Sequence, residues 1–179
     1  MVRVYIPATL TMLQTLVADG SIHARSGTAF AVTPTLRESY FQGDDDELAE
    51  VALREAALAS LRLLAIEGSG GGERSDRGIG VAEGLPPRRA VLVAEVEGAT
   101  VRPDLDDAVV RLAGPVEISD VIAAYLDNAA AESAVLAAVE VIDEADLGNE
   151  DAEFTVGDAQ DHDLAWYASQ ELPFLLDLL

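Results

Sequence analysis

The 179-residue chain contains no cysteine, no lysine, two histidines and one tryptophan, and each scarcity excludes a kind of chemistry. Without cysteine there is no disulfide, no thiolate nucleophile, no iron–sulfur cluster and no cysteine-ligated zinc. His23 and His162 are the only imidazoles, and no Gly-x-Ser-x-Gly elbow is present, so nucleophilic catalysis has few candidate groups. No apolar run approaches the roughly 18 residues of a membrane helix, and residues 1–7 do not form a signal peptide. We therefore expect a cytoplasmic protein.

Acidic residues greatly outnumber basic ones, and the excess is concentrated in one part of the chain. The 33 Asp and Glu residues face 11 arginines, which gives a formal net charge of −22. Residues 1–102 have a net charge of −4, whereas residues 103–179 have −18 and a single arginine, Arg111. This charge disfavours a nucleic-acid backbone or an anionic membrane as partner. GC-rich coding or a salt-adapted host explains part of the acidity, but the steep split predicts an acidic face in the C-terminal part.

The pattern of apolar segments predicts an α/β fold. Half of the residues are hydrophobic, and the length suits a single domain over residues 1–179. Strand-like and helix-like segments alternate, which predicts a mixed sheet of about six strands with four or five helices. Strands are expected at 2–6, 28–33, 90–96, 108–112, 121–126 and 164–168. Helices are expected at 10–18, 34–42, 44–66, 128–145 and 170–179, with a flexible Gly/Pro-rich loop at 68–87 and an acidic loop at 143–160.

Polar residues follow several of the expected strands. If these strands run parallel, their carboxyl ends share one sheet edge, where α/β proteins commonly bind ligands. The residues expected to converge there are Thr9, Thr33, Thr35, Asp127, Asn128, Ser169 and Glu171. Hydroxyls at helix N-termini can hold an anion, although Asp127 and Glu171 would repel one. The competing explanation is that Thr9, Thr35, Asn128 and Ser169 only cap helices.

Several carboxylates and one histidine are candidate ligands for a divalent metal. They lie in two segments, one in a polar connection and one just before the last strand. These candidates are Asp104, Asp106, Asp107, Asp161, His162 and Asp163. Neither spacing matches a known metal motif, so the alternative is that both segments are solvated acidic loops. We expect no cofactor.

The acidic C-terminal part also carries a candidate interface, formed by Glu150, Asp151, Glu153 and Asp158. We interpret the chain as a non-catalytic binding or regulatory protein that presents this surface to a basic protein. The alternative is a small metal-dependent or nucleotide-binding enzyme with its site at the strand C-terminal ends. A broad acidic face favours the first interpretation, and a deep pocket with converging carboxylates favours the second. Trp166 and Tyr167 indicate either core packing or an exposed aromatic patch on the acidic side.

Four stretches of the sequence together resemble an uncharacterised family, a domain of unknown function found in high-GC Gram-positive bacteria. They are residues 2–10 (VRVYIPATL), 26–34 (SGTAFAVTP), 101–111 and 164–172 (LAWYASQEL). The similarity extends over nearly the whole chain apart from the glycine-rich stretch. The resemblance implies a bacterial host of that type and an intracellular setting. It implies no activity and assigns no functional residue.

Overall fold

The computed structural model describes residues 1–40, 42–70 and 85–179. These residues form nine β-strands and six α-helices, which confirms the α/β prediction. The strands are β1 (Val2–Ala8), β2 (Ser21–Ile22), β3 (Thr28–Phe30), β4 (Ala90–Val96), β5 (Thr100–Val101), β6 (Val109–Arg111), β7 (Val116–Glu117), β8 (Val121–Leu126) and β9 (Ala165–Ala168). The helices are α1 (Leu10–Asp19), α2 (Pro34–Ser39), α3 (Asp45–Gly70), α4 (Glu132–Asp146), α5 (Glu150–Gln160) and α6 (Leu172–Asp177).

Seven strands form one sheet in the order β5-β6-β3-β1-β4-β8-β9, and β2 pairs with β7 outside it. Every pairing between described strands is antiparallel, so the prediction of a mixed sheet is wrong. The strand–helix–strand pattern from β1 through α1 to β3 suggested a parallel connection. Residues 20–27 instead return the chain to the end of the sheet where β1 finishes, and β3 therefore runs in the opposite direction.

The two faces of the sheet are covered by different helices. Alternate residues of β1 point to opposite faces, so Val4 and Ile6 pack with Leu13 of α1, whereas Tyr5 packs with Leu48 of α3. A third apolar cluster lies beyond the sheet and joins α3, α4 and α5. Its buried members are Leu61, Ala131, Val135, Ala138, Ile142, Val156 and Ala159.

Helix α5 corrects the expectation of an acidic loop at 143–160. The Asn149 side chain accepts a hydrogen bond from the Ala152 N–H (3.0 Å) and so caps the helix. Three acids in the first turn complement the positive end of the helix dipole. Ala152, Val156 and Ala159 are buried at helical spacing. The apolar stripe consists of only these three small or medium side chains. The acids around it therefore obscure the helical periodicity in the amino-acid sequence.

The remaining corrections concern the ends of elements. Most of the loop expected at 68–87 lies outside the described residues, but 68–70 belong to the end of α3. The expected last helix begins as a 3₁₀ turn over Ser169–Glu171, and the Ser169 side chain does not cap it. The two-residue strands β2, β5 and β7 were not expected, because they are too short to show a period. Within the described part of the chain, no helix is both long and apolar enough to cross a membrane.

Candidate functional site

The residues expected to share one ligand-binding edge lie at two opposite edges of the sheet. We call the edge where β1 and β8 end and β4 and β9 begin the upper edge, and the opposite one the lower edge. Thr9, Asp127 and Asn128 lie at the upper edge. Thr33, Thr35, Ser169 and Glu171 follow strands β3 and β9, which end at the lower edge. The antiparallel pairing thus separates the two groups across the length of the strands.

Asp127 at the upper edge is fully engaged by Arg89. Its carboxylate accepts hydrogen bonds from the backbone N–H (2.8 Å), Nε (2.9 Å) and Nη2 (2.7 Å) of Arg89. Both side chains are buried, with exposed fractions of 2% and 0%. Nη2 also donates to the carbonyl oxygen of His162 (2.7 Å). The pair therefore joins the start of β4, the end of β8 and the segment before β9.

Thr9 and Ser60 also serve the fold at this edge. The Thr9 hydroxyl accepts the Met12 N–H (3.3 Å) as the cap of α1 and donates to Glu67 Oε1 (2.6 Å). Buried Ser60 donates to the Ala8 carbonyl (2.7 Å) and accepts the N–H that begins β4 (3.1 Å). These bonds attach α3 to the ends of two neighbouring strands.

The N-cap explanation holds for some of the candidates and fails for others. Asn128 accepts the Ala130 N–H (3.1 Å) and caps the 3₁₀ turn before α4. Thr33, rather than Thr35, caps α2 by accepting the Leu36 N–H (3.0 Å), and Thr35 lies inside the helix. Glu171 accepts the N–H of Ala168 (2.9 Å) and closes the turn after β9.

The metal candidates are divided between the lower edge and the upper edge. Asp104 receives two hydrogen bonds from Arg102 (2.9 and 2.8 Å), which hold the pKa of this carboxyl below its ordinary value. Asp106 accepts the N–H of Asp107 (2.6 Å), and Asp107 accepts the Ser39 hydroxyl (2.6 Å). Residues 161–163 lie at the other edge, before β9. Among the described residues, no group of three His, Asp or Glu side chains is placed to hold a metal ion.

The four interface candidates, in contrast, lie on one exposed face of α5. Glu150, Asp151, Glu153 and Asp158 all point away from the buried stripe and are exposed. We call this surface, together with Phe154 and Gly157, the α5 face. Phe154 lies among the four carboxylates with 75% of its surface exposed. Exposed aromatic side chains within a polar rim are a feature of many protein-binding surfaces.

A shallow depression of about 540 Å³ runs along the α5 face. It is lined by Glu150, Glu153, Phe154, Gly157, Asp158 and Asp161. Gly157 leaves its floor open, because a Cβ built at this position meets nothing within 4 Å. Glycine weakens a helix by roughly 1 kcal/mol relative to alanine, and packing does not require it here.

No acid of the α5 face forms an ion pair with any described residue, although acids nearby do. Asp146 at the end of α4 binds Arg62 through two bonds of 2.9 Å. Glu132 at the start of α4 binds Arg88 at 3.1 Å. The α5 face therefore carries uncompensated negative charge next to a region where acids are paired.

The two aromatic residues of β9 have different environments. Tyr167 is partly buried and packs against the apolar core that contains Val4, Ile6 and Leu13. Trp166, on the opposite face of the strand, has 58% of its surface exposed. Core packing is therefore the correct interpretation for Tyr167, whereas Trp166 is an exposed aromatic residue.

Sequence reasoning missed Ser60, Arg89, Phe154 and Gly157. Arg89 was detectable only through the strand register, which places Ala90 opposite Leu126 and so Arg89 opposite Asp127. Asn149 followed by Glu150, Asp151 and Glu153 is a helix-start signal. That signal would have revealed α5 and, with it, the positions of Phe154 and Gly157 on the exposed face.

Residues 2–176 match the family of unknown function DUF6912, and the chain belongs to this family. No curated protein and no solved structure matches the chain. The expectation of an uncharacterised domain is thus confirmed.

Proposed function

We propose that the chain is a non-catalytic binding or regulatory protein that presents the α5 face to a basic protein. The observation that carries this proposal is the coincidence, on one exposed helix face, of four acids without a described ion-pair partner and an exposed phenylalanine. Ion pairs with a described arginine engage only four of the 19 acids in residues 103–179, namely Asp104, Asp127, Glu132 and Asp146. What distinguishes the α5 face is the exposed ring among its unpaired acids. Unpaired like charge on one face is a cost to the free protein that a cationic partner removes.

The electrostatics of the face favour rapid association with a cation-rich surface. Residues 103–179 carry a net charge of −18, so the local charge and the overall field have the same sign. Fields of this kind speed encounter between oppositely charged proteins and are screened over about 10 Å at 0.1 M salt. Binding to a basic partner at the α5 face should therefore weaken steeply as salt is added.

Phe154 and Gly157 add a distinct shape to a face that the four carboxylates already make negatively charged. The ring offers apolar area that stays exposed in the free chain, and the glycine beside it opens the depression. In protein interfaces, a few central residues within a polar rim contribute most of the binding energy, and aromatic side chains are prominent among them. We expect an apolar side chain of the partner to pack on Phe154 while arginines or lysines meet the surrounding carboxylates.

The proposed cellular location and the exclusion of other partner classes rest on the sign of the charge and on the resemblance described above. We place the protein in the cytoplasm of a high-GC Gram-positive bacterium and expect neither direct nucleic-acid binding nor membrane association. Composition of the genome accounts for part of the acidity in this proposal. The proposal assigns a function to the cluster of unpaired acids around one exposed aromatic side chain.

The proposal is tested by capture of partners from an extract of the encoding organism at low and at high salt. Three baits are compared: the wild-type chain, a quadruple α5 variant and a charge-matched control. The α5 variant carries Glu150→Gln, Asp151→Asn, Glu153→Gln and Asp158→Asn. The control neutralises four exposed acids of the N-terminal half and has the same net charge as the α5 variant. Its substitutions are Glu38→Gln, Asp46→Asn, Glu47→Gln and Glu50→Gln.

The expected result is a specific basic protein that the wild type and the control recover at low salt and the α5 variant does not. High salt should release it from both baits. Recovery of the same proteins by all three baits, or a partner lost only with the control, contradicts the proposal.

A further inference from the structure

The seven-stranded sheet has one outer strand on each side, β5 and β9. These two side edges, which are distinct from the upper and lower edges at the strand ends, differ in how they are protected. An unpaired edge strand exposes backbone donors and acceptors, and proteins commonly shield such edges with short strands, charges or proline. At one edge, β5 has only two residues and is followed by Arg102 and Pro103. At the other, β9 is twice as long, has no charge or proline within the strand (Ala-Trp-Tyr-Ala), and its flanking charges are all acidic. No described residue pairs with the outer side of β9.

The direction of the hydrogen bonds shows which groups of β9 face outward. The N–H of Asp127 donates to the carbonyl of Arg89 (3.2 Å), so this residue directs its backbone groups toward β4. Backbone groups alternate in direction along an antiparallel strand. Leu126 and Ala124 of β8 therefore direct theirs toward β9.

Ala165 and Tyr167 of β9 pair with Leu126 and Ala124 of β8, so their backbone groups form hydrogen bonds to β8. Trp166 and Ala168 then direct their backbone groups outward. The N–H of Ala168 is already held by the Glu171 carboxylate (2.9 Å). The N–H and C=O of Trp166 are thus presented for a further strand, next to an indole that is 58% exposed.

Acidic side chains flank strand β9 at both of its ends. Asp161 and Asp163 are exposed before β9, and Glu171 is exposed after it. Asp161 also lines the depression of the α5 face, which connects the two surfaces. An extended segment lying along β9 would meet a carboxylate at each end and an aromatic ring on one side. Arginine suits both, because it pairs with carboxylates and stacks on aromatic faces.

The charges decide against a second copy of the chain as the occupant. Antiparallel pairing of two β9 strands about their middle would bring Asp163 of each copy close to Glu171 of the other. Like charges that face each other across strands are destabilising, and each copy carries a net charge of −22. A segment of opposite charge removes this repulsion.

We propose that an extended, arginine-bearing segment of the partner adds a strand to β9. In this mode, backbone bonds supply affinity and the flanking side chains supply specificity. The proposal rests on the proposed function, since the same basic partner would contact both the α5 face and β9.

The probe is a pool of short synthetic peptides with a randomised uncharged interior and arginine at both ends. Trp166 is the only tryptophan of the chain, so its fluorescence reports directly on this edge. A second pool has the same composition but is N-methylated at alternate interior residues, which removes backbone donors without changing charge. We expect the first pool to shift the Trp166 emission and the methylated pool to bind about tenfold more weakly, as expected for the loss of one or two hydrogen bonds. Equal binding of the two pools overturns the proposal.

Two variants at one position test the strand edge by calorimetry. Trp166→Pro removes the outward N–H without removing a bond to β8, and proline is tolerated at such edge positions. Trp166→Thr keeps this N–H and removes only the ring. We expect the threonine variant to retain weakened binding and the proline variant to lose it. Equal binding by both variants contradicts the proposal, and thermal unfolding shows whether each is folded. If the proline variant is unfolded, the comparison of the two peptide pools on the wild type decides.

Two further measurements separate this inference from the proposed function. The quadruple α5 variant should still bind the first pool, whereas Asp161→Asn combined with Asp163→Asn should weaken it severalfold. Binding that depends on the α5 acids but is insensitive to N-methylation leaves the proposed function standing and refutes strand addition. A dimer of the chain alone in sedimentation, abolished by Trp166→Pro, would show that a second copy occupies the edge and would refute the basic segment.

Discussion

The upper edge of the sheet and the α5 face are both rich in carboxylates, but only at the upper edge do some of these carboxylates have partners among the described residues. At the upper edge, Asp127 is bound by Arg89, Glu132 by Arg88, and Glu67 accepts the Thr9 hydroxyl. On the α5 face, none of the four acids is paired with a described residue. The comparison separates acids that hold the fold together from acids that no described residue engages.

Burial is the physical reason for the difference between Asp127 and the acids of the α5 face. A buried carboxylate without a partner is strongly destabilising, so one can persist in a core only together with its cation. An exposed carboxylate is solvated by water and needs none. Residue type therefore does not distinguish the two roles, but the presence or absence of a partner within the fold does.

The largest effect is expected when the buried pair at the upper edge is broken. Asp127→Ala leaves Arg89 buried without its counter-ion and should lower the free energy of unfolding by about 3–5 kcal/mol. Denaturant titration measures this loss. Asp151→Asn on the α5 face is the matched control and should change stability by less than about 0.5 kcal/mol. Losses of similar size for both substitutions would remove the distinction between the two regions.

A pair of glycines sharpens the description of the α5 face. Gly148 and Gly157 both have open space where a Cβ would be, but only Gly148 has a positive φ, of 94°. Gly157→Ala should stabilise the protein by roughly 0.5–1 kcal/mol through helix propensity. Gly148→Ala should destabilise it by roughly 1–2 kcal/mol through left-handed backbone strain. A loss of stability with Gly157→Ala would show that this glycine has a structural role.

The pairing of Asp146 with Arg62 should show up as a dependence of stability on pH. The hydrogen bonds from Arg62 lower the pKa of Asp146 below 3.8, its ordinary value. A lowered pKa means that the pair stabilises the fold above the unfolded-state pKa and loses this contribution as pH falls through the folded-state pKa. Since both side chains are partly exposed, Asp146→Asn should cost about 0.5 kcal/mol at neutral pH. The difference from wild type should disappear in acid; a cost that persists there would not be electrostatic.

The smallest effect is expected at Glu55, where the sign is reversed. Partial burial, with a lesser contribution from Asp106, raises the pKa of this carboxyl above its ordinary value. Ionisation of Glu55 therefore opposes folding at neutral pH, and the opposition fades as pH falls through the raised pKa. Glu55→Gln should slightly increase the unfolding midpoint at neutral pH and leave it unchanged in acid. A decrease at neutral pH would indicate that the carboxylate has a stabilising partner.

The sequence predicted the long elements correctly because their periods are strong. Strand β4 is a continuous apolar run, and α3 combines acids at its start with an apolar stripe. Helix α5 was missed because Asp, Gly and Thr obscure a stripe of only three buried residues. The sheet direction was missed because it depends on the path of residues 20–27, and the partner of Asp127 was missed because it depends on the strand register. The four acids of the candidate interface could be proposed from the sequence because charge density is a property of composition. The position of Phe154 among them and the depression beside it could not, because both depend on α5 being a helix.

The salt dependence of affinity tests the central claim most directly. The basic protein recovered by the wild-type bait is titrated with the wild type, the quadruple α5 variant and the charge-matched control over a series of salt concentrations. We predict that the control behaves like the wild type, whereas the α5 variant binds at least about tenfold more weakly at low salt and with a much shallower salt dependence. Equal affinities and equal salt slopes for the two variants would mean that overall charge, and not the α5 face, attracts the partner.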